Sequence, residues 1–346
     1  MKYLDSMTEE ELKALAVEMG EKSFRGTQVF EGIHRGRCKS VLDIQNIPLK
    51  LREALASQGD VRKVDIIKEH RSKLDETVKM LYKLYDGNII EGVLMKYEHG
   101  HSLCISTQVG CRMGCSFCAS TKEGLVRNLA PYEMAAQVYE VEKKFNVTIS
   151  NIILMGSGEP LDNYDNVIKF IKIITSPKGK NISIRSITIS TSGLADKIYD
   201  LADENMKVGL AISLHSSNDE YRREIMPVAK KYSVAEIVKA AKYFSEKNSS
   251  RITFEYTVID GKNNRDEDVK NLKSLFKNIK AHVNLIPLNP VTGFDERKPE
   301  RKALEEFEKK LINSGINTTI RRTLGADIDA SCGQLKIKHL NNEVLF

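Results

Sequence analysis

The chain has 346 residues, 41% hydrophobic and 29% charged, with a formal net charge of +6 and a pI near 8.8. That length accommodates one large domain plus a smaller one. No run approaches the roughly 18 uninterrupted apolar residues of a membrane span, and the acidic, amphipathic start MKYLDSMTEEELKAL lacks a signal-peptide core. A cytoplasmic protein is expected, in a reducing compartment where its six unevenly clustered cysteines stay thiols rather than forming a secreted disulfide framework. The moderate positive charge permits an RNA partner without requiring one.

Residues 1–60 read as a small helical accessory unit. Thr8 and Glu11 form a capping box ahead of ELKALAVEMG, whose Leu12, Leu15, Ala16 and Met19 recur at helical spacing. Further helices are predicted over 27–33 and, after Pro48, over 49–56. The second helix and its flanks carry Arg25, His34, Arg35, Arg37 and Lys39, a basic strip suited either to phosphate contact or to simple solvation. Cys38 stands there alone and reads as a bystander thiol.

From 61 to 100 the hydrophobic period changes to two, and VRKVDIIKEH, TVKMLYKLYDG and NIIEGVLMKY predict an antiparallel extension with a turn at Asp86-Gly87-Asn88. From 101 to 346 short apolar runs alternate with helical segments. Strands are expected at 103–107, 151–156, 187–191, 207–215, 251–259, 282–288 and 317–323, and helices at 131–145, 163–175, 233–247, 265–279 and 299–313. Such alternation argues for parallel β/α units. About six units are too few for a closed eightfold barrel, so the expected fold is α/β, a partial (β/α)6 TIM-like barrel.

After the first barrel strand comes Gly110-Cys111-Arg112-Met113-Gly114-Cys115-Ser116-Phe117-Cys118, with Cys111, Cys115 and Cys118 spaced C-x3-C-x2-C. Three thiols so close in a loop point to one metal centre. Structural zinc takes four ligands, commonly as two separated C-x2-C pairs, and no fourth Cys or His lies near. A [4Fe-4S] cluster held through three irons, with the fourth open, fits the spacing better, which resembles the signature of radical S-adenosylmethionine (SAM) enzymes. A zinc or purely structural site is the alternative.

In parallel β/α sheets, ligands gather at the C-terminal strand ends. There the sequence places Gly156-Ser157-Gly158-Glu159-Pro160, with glycines for close backbone approach and Glu159 as acceptor for a cationic amine. Ser190-Thr191-Ser192-Gly193, Ser213-Leu214-His215 and Asn289 occupy the ends of later strands. Each is weak alone; together with the cysteines they outline a SAM pocket containing Gly158, Glu159, Ser190, Ser213, Leu214, His215 and Asn289.

The cysteine motif, the G-x-G-E-P-L run, SLH, PLNP and the tail GADIDASCGQL together resemble the dual-specificity ribosomal RNA/transfer RNA adenine C2-methyltransferases, over nearly the whole chain. The resemblance implies a radical SAM barrel with an accessory domain, one [4Fe-4S] cluster and two SAM molecules per turnover. Its implied products are C2-methylated adenosine 2503 of 23S rRNA and adenosine 37 of tRNAs. It also implies a monomer reduced by a donor such as flavodoxin or ferredoxin. One departure is Ser157, where the family usually has Met; this residue is expected to line the pocket.

The implied chemistry explains the cysteines. C2 of adenine is electron-poor and does not attack the SAM methyl, so the resemblance assigns Cys332 as first methyl acceptor. A second SAM, reduced at the cluster, yields a radical that takes hydrogen from S-methyl-Cys332, and the carbon joins C2. Cys104 corresponds to the cysteine that resolves the adduct as a disulfide. Glu91 corresponds to a proton acceptor, whose apolar neighbours Ile89, Ile90, Val93 and Leu94 would raise its pKa on burial. Whether Glu91 or Cys104 takes the C2 proton stays open. So do a C8-methylating sister activity, a non-catalytic iron–sulfur RNA-binding module, and a radical activase in which Cys332 is idle.

Overall fold

A computed structural model describes residues 3–62, 64–291 and 293–335. The N-terminal unit contains α1 (Glu9–Glu18), α2 (Phe24–His34) and α3 (Leu49–Gln58). The capping box is present, with Thr8 Oγ1 accepting from Glu11 N at 3.2 Å and Glu11 returning the contact at Thr8 N. Leu12, Leu15, Val29, Phe30, Ile33, Val41, Leu51 and Leu55 form a separate core that also takes in Ile173 of the barrel, so the unit docks through apolar burial. Helix α2 starts three residues earlier than its periodicity suggested.

The chain then runs through β1 (Asp65–Arg71), β2 (Val78–Lys83), β3 (Ile89–Tyr97) and β4 (Gly100–Cys104), all paired antiparallel. It continues into a short ribbon, β5 (Gln108–Gly110) and β6 (Leu125–Asn128), then α4 (Pro131–Phe145) and β7 (Ile149–Leu154). There follow α5 (Tyr164–Thr175), β8 (Ile187–Thr191), α6 (Ala195–Asp203), β9 (Gly209–Ser213), α7 (Asp219–Ile225), α8 (Val234–Asn248) and β10 (Ile252–Val258). The last elements are α9 (Asp266–Leu275), β11 (Ala281–Pro287), α10 (Arg301–Asn313) and β12 (Thr318–Ile320). Strand β4 pairs parallel with β7, and β7 to β12 continue in parallel order. Extension and barrel thus form one ten-stranded sheet, the partial barrel expected.

Helices α6 and α7 were not anticipated. Helix α6 is short and follows its strand almost directly, while α7 lies in the polar segment after β9, where Asn218 caps it by accepting from Tyr221 N at 3.0 Å. The β5–β6 ribbon was also missed, being too short to show a period. It frames the cysteine loop that had been read as simply trailing the first barrel strand.

The two sheet faces differ chemically, and this places the site. Ile152, Leu154, Ile187, Ile189, Leu210, Ile212, Phe254, Val283 and Leu285 belong to the main core. The alternate residues are paired across the other face as Ile153 with Thr188, Ser190 with Ala211, Ser213 with Glu255, and Glu255 with Asn284. Because side chains alternate along a strand, the face away from the main core is the more polar one, Ile153 apart, and its rim lines a cavity.

Candidate active site

Cys111, Cys115 and Cys118 line a cavity of about 150 Å³ at the C-terminal ends of the parallel strands, together with Gly158, Glu159, Ser190, Ser213, His215, Asn289 and Cys332. A second, smaller cavity of about 50 Å³ adjoins it and contains Cys104 and Cys332. Met155, Ile286, Asn289, Arg321 and Cys332 line both cavities. Cys332 therefore faces the three-cysteine loop on one side and Cys104 on the other.

The cysteine loop is fixed to the barrel by its backbone and by Arg112, whose guanidinium forms a two-pronged ion pair with Asp162. Cys111 N donates to Gly124 O, and Ser116 N donates to Ile225 O. The three thiols are free, and burial raises the pKa of each, to about 12 for Cys111. As buried neutral thiols they would be idle; metal charge offsets that cost, since a coordinating thiol is deprotonated. Among the described residues no three His, Cys, Asp or Glu side chains are grouped as ligands of one metal ion. A cluster that takes one thiolate at each of three irons matches the three sulfurs lining this cavity.

The glycines of G-x-G also meet a packing requirement that their sequence did not show. A Cβ on Gly156 would lie 2.6 Å from Ile105 O, and one on Gly158, whose φ is +108°, would lie 2.6 Å from Gln108 Cβ. On one side the chain itself, the Ile105 and Ser106 backbone and Gln108, fills the space a side chain would need, and on the other both glycines line the cavity. Ser157 is absent from the lining of the cavity; its N donates to Ser106 Oγ at 2.9 Å and its carbonyl accepts from Thr107 N and Gln108 N. The difference from the usual Met thus falls in a loop-to-strand joint.

Glu159 is buried, and each carboxylate oxygen already accepts one backbone N–H: Oε1 from Leu161 at 3.0 Å and Oε2 from Ser192 at 2.6 Å. Burial holds its carboxyl above the usual range against those bonds. It joins two rim loops and retains acceptor capacity toward the cavity, since each oxygen has a further lone pair. Ser190 and Ser213 line the cavity as expected. Leu214 does not: its side chain is fully buried in the main core, and its role at the rim is through its backbone, which donates to Glu255 O. His215 adopts φ +57° and accepts from Thr257 N at Nδ1, 2.9 Å. Its pKa is pushed down to about 3, chiefly by burial, so it is a neutral wall with Phe117 edge-on at 4.8 Å between ring centroids.

Cys332 lies after β12 in a loop stitched to its surroundings. Asn289 Nδ2 donates to Cys332 O at 3.1 Å, Ala119 N donates to Gly333 O at 2.7 Å, and Ser120 Oγ donates to Leu335 O at 3.0 Å. A Cβ on Gly333, at φ +82°, would meet Phe117 O at 2.9 Å. Cys104, the last residue of β4, sits among Val93, Met95, Ala330 and Leu335, and its thiol is pushed up to about 12, first by burial and then by the charge of Cys332.

Glu91 is buried, on the face of β3 that also carries the apolar Ile89, Val93 and Met95, and it has a cation beside it. Alternation along β3 puts Ile90 and Leu94 on the opposite face, and Lys79 Nζ lies 3.6 Å from Glu91 Oε1, both side chains nearly inaccessible. Neither cavity includes Glu91, although Val93, Met95 and Tyr97 from the same face of β3 line the second. The basic strip also changes: His34 is buried in the N-terminal unit, its pKa pushed down to about 3 by desolvation, and Arg37 pairs with Glu142. Arg35 and Lys39 remain exposed.

Three further residues at the site, Arg222 and Glu255 buried and Arg321 partly so, were not singled out from sequence. Arg222, fully buried, donates to Leu214 O, Ser192 O and Ser213 O at 3.0, 2.7 and 3.2 Å, tying two rim strands together. Glu255 and Arg321 face the cavity from β10 and the end of β12.

Residues 105–272 match the profile of the radical SAM superfamily, and residues 3–61 match the N-terminal domain of ribosomal RNA large subunit methyltransferases. A protein of Alkaliphilus oremlandii named "Probable dual-specificity RNA methyltransferase RlmN" is 49% identical over 97% of this chain and 98% of its own length. The chain belongs to the RlmN family of radical SAM RNA methyltransferases. A Finegoldia magna protein of the same name is 48% identical over 97% of both chains. The crystal structure of a radical SAM methyltransferase from Sphaerobacter thermophilus superposes with a TM-score of 0.89 at 36% identity, covering 97% of this chain and 99% of that one. As a family member the protein is an enzyme that uses SAM and a [4Fe-4S] cluster to methylate RNA. No helix among the described residues is long and apolar enough to cross a membrane.

Proposed function

We propose that this enzyme methylates C2 of adenosine 2503 in 23S rRNA and of adenosine 37 in tRNAs, through S-methyl-Cys332 and a transient covalent bond between Cys332 and the RNA. The observation that carries this reading is the position of Cys332 in the wall between the three-cysteine cavity and the cavity of Cys104. A thiol used once, as a structural ligand or a buried hydrophobe, has no need of both.

Cys111, Cys115 and Cys118 would hold the cluster, and Gly158, Glu159, Ser190, Ser213, His215 and Asn289 would hold SAM, with Leu214 supporting the rim from the core side. Together these cofactors supply methyl groups and a hydrogen-abstracting radical, two SAM molecules being consumed per product. The chain's own part is nucleophilic. The Cys332 thiolate accepts a methyl group as the C–S⁺ bond of SAM breaks. After that methyl group loses a hydrogen atom, its carbon bonds to C2 of adenine, and one electron and the C2 proton depart. Cys104, within the second cavity, then attacks the Cys332 sulfur and releases the methylated base, leaving a disulfide. Cys104 and Glu91 are the two groups proposed for the proton; Cys104 lines the second cavity, while Glu91 lies outside both cavities and beside Lys79. The enzyme is read as a cytoplasmic monomer reduced by a flavodoxin- or ferredoxin-type donor, with residues 1–60 as the RNA-binding accessory unit, 61–100 as the strand extension and 101–346 as the catalytic barrel.

Nucleoside mass spectrometry of rRNA and tRNA from cells with and without the protein tests the product. 2-Methyladenosine is expected at both sites only when the protein is present. Accumulation of 8-methyladenosine instead would assign the sister regiochemistry. On the surface, replacing Arg35 and Lys39 with Gln should weaken RNA binding and flatten its salt dependence by roughly one unit of log–log slope per lost phosphate contact. SAM cleavage without RNA should be unaffected, and an unchanged slope would make the strip a solvated face.

A further inference from the structure

Arg321 occupies a place that the established activity does not account for. It follows β12 directly, its backbone N donating to Leu285 O at 2.8 Å, and its side chain reaches the wall shared by the two cavities. Nη1 lies 3.7 Å from Met155 Sδ and 3.6 Å from Glu255 Oε2. Glu255 is itself buried and held by Asn284 Nδ2, at 3.2 Å to Oε1 and 3.0 Å to Oε2. The carboxylate is too distant for a direct hydrogen bond to the guanidinium, so it orients Arg321 without capping it. The other basic group lining the first cavity, His215, is kept neutral by burial.

The ionisable neighbours of Arg321 are the two redox cysteines, Glu255 and Tyr97. The charge of Cys332, ahead of those of Glu255, Cys104 and Tyr97, holds the guanidinium above its ordinary range. In the other direction, Arg321 acts against the burial that suppresses ionisation of Cys104.

We propose that Arg321 is a positioning residue for both cysteines, a fixed cation that favours the anionic sulfur of Cys332 as it takes a methyl group and of Cys104 as it releases the product. This rests on the covalent reading above. In the first step the Cys332 thiolate forms the S–CH3 bond while the sulfonium C–S bond breaks, its electron pair staying on the departing sulfur; one negative and one positive charge vanish together. S-methyl-Cys332 is neutral, so Arg321 then keeps Glu255 and, as it ionises, Cys104 as partners among the described residues. In the release step the Cys104 thiolate forms the S–S bond and the S–CH2 bond breaks. Its electron pair passes toward the adenine ring, and the methylene carbon takes up a proton to become the methyl group. One cation thus serves two nucleophiles in turn.

The test needs neither RNA nor turnover. The reconstituted full-length enzyme, with its unmethylated fraction fixed by intact-protein mass, is treated with iodoacetamide and the modified cysteines are mapped. Arg321→Met should slow alkylation of Cys332 about tenfold, because the thiolate is the form alkylated and the cation beside it is lost, and slow Cys104 as well. Arg321→Lys should restore most of the Cys332 rate. Glu255→Gln, which removes the competing carboxylate, should leave the rates unchanged or raise them. Wild-type alkylation rates in an Arg321→Met protein of normal melting temperature and iron content would overturn the proposal. Equal slowing by Glu255→Gln would also overturn it, by reducing the pair to a structural link. RNA methylation by Cys332→Ala would sink the covalent reading instead, whatever the alkylation rates.

Discussion

Cys104→Ala is expected to accumulate protein covalently joined to RNA, approaching equimolar with the enzyme, while Cys332→Ala forms neither methylated protein nor adduct. The asymmetry follows from where the two thiols sit. Cys332 borders both cavities, so its loss removes the acceptor before anything is bonded. Cys104 borders only the smaller one, so methyl acceptance and bond formation to adenine proceed without it and release alone fails. The adduct should be trimmed by ribonuclease to a nucleotide joined through one carbon to Cys332, read by peptide mass spectrometry. Glu91→Gln separates the proton acceptors: if it too traps the adduct with Cys104 intact, proton removal belongs to Glu91. Normal turnover by Cys104→Ala, or RNA methylation by Cys332→Ala, would contradict the covalent route.

The second large effect concerns the three-cysteine loop. Anaerobically reconstituted protein should bind about four irons per chain, and Ala at Cys111, Cys115 or Cys118 should abolish the iron–sulfur absorbance and SAM cleavage together. The fold should survive each substitution, because the loop is pinned independently by the Arg112–Asp162 pair and by backbone bonds to Gly124 and Ile225. A melting temperature near that of the apo wild type would check this. Stoichiometric zinc with no iron uptake in protein purified without oxygen would rule out a cluster.

Much of this was legible in one dimension, for identifiable reasons. The capping box at Thr8 and Glu11 is local, its two partners being three residues apart. The parallel strands announced themselves because apolar and small polar residues alternate along them, and the glycine, serine and histidine runs follow directly at their ends. The C-x3-C-x2-C spacing is likewise local chemistry. Elements too short to show a period, the β5–β6 ribbon and α7, escaped.

The set of nucleophiles and ligands, the β/α alternation and the order in which strand ends meet the rim are all written in the linear chain. Which side chains reach the cavity was decided only by tertiary structure. Leu214 and Ser157 sit inside rim motifs yet turn away, because one is needed by the core and the other by a loop joint. Arg222 and Arg223 are indistinguishable as neighbours in DEYRREI, but the helix buries the first against three carbonyls and leaves the second exposed. Glu91 looked apolar in its surroundings until strand pairing brought Lys79 across from β2. Arg321, far from Glu255 in sequence, meets it only when the sheet is formed. Local pattern sets what a residue can do; burial and partners, which depend on distant segments packing together, set what it does.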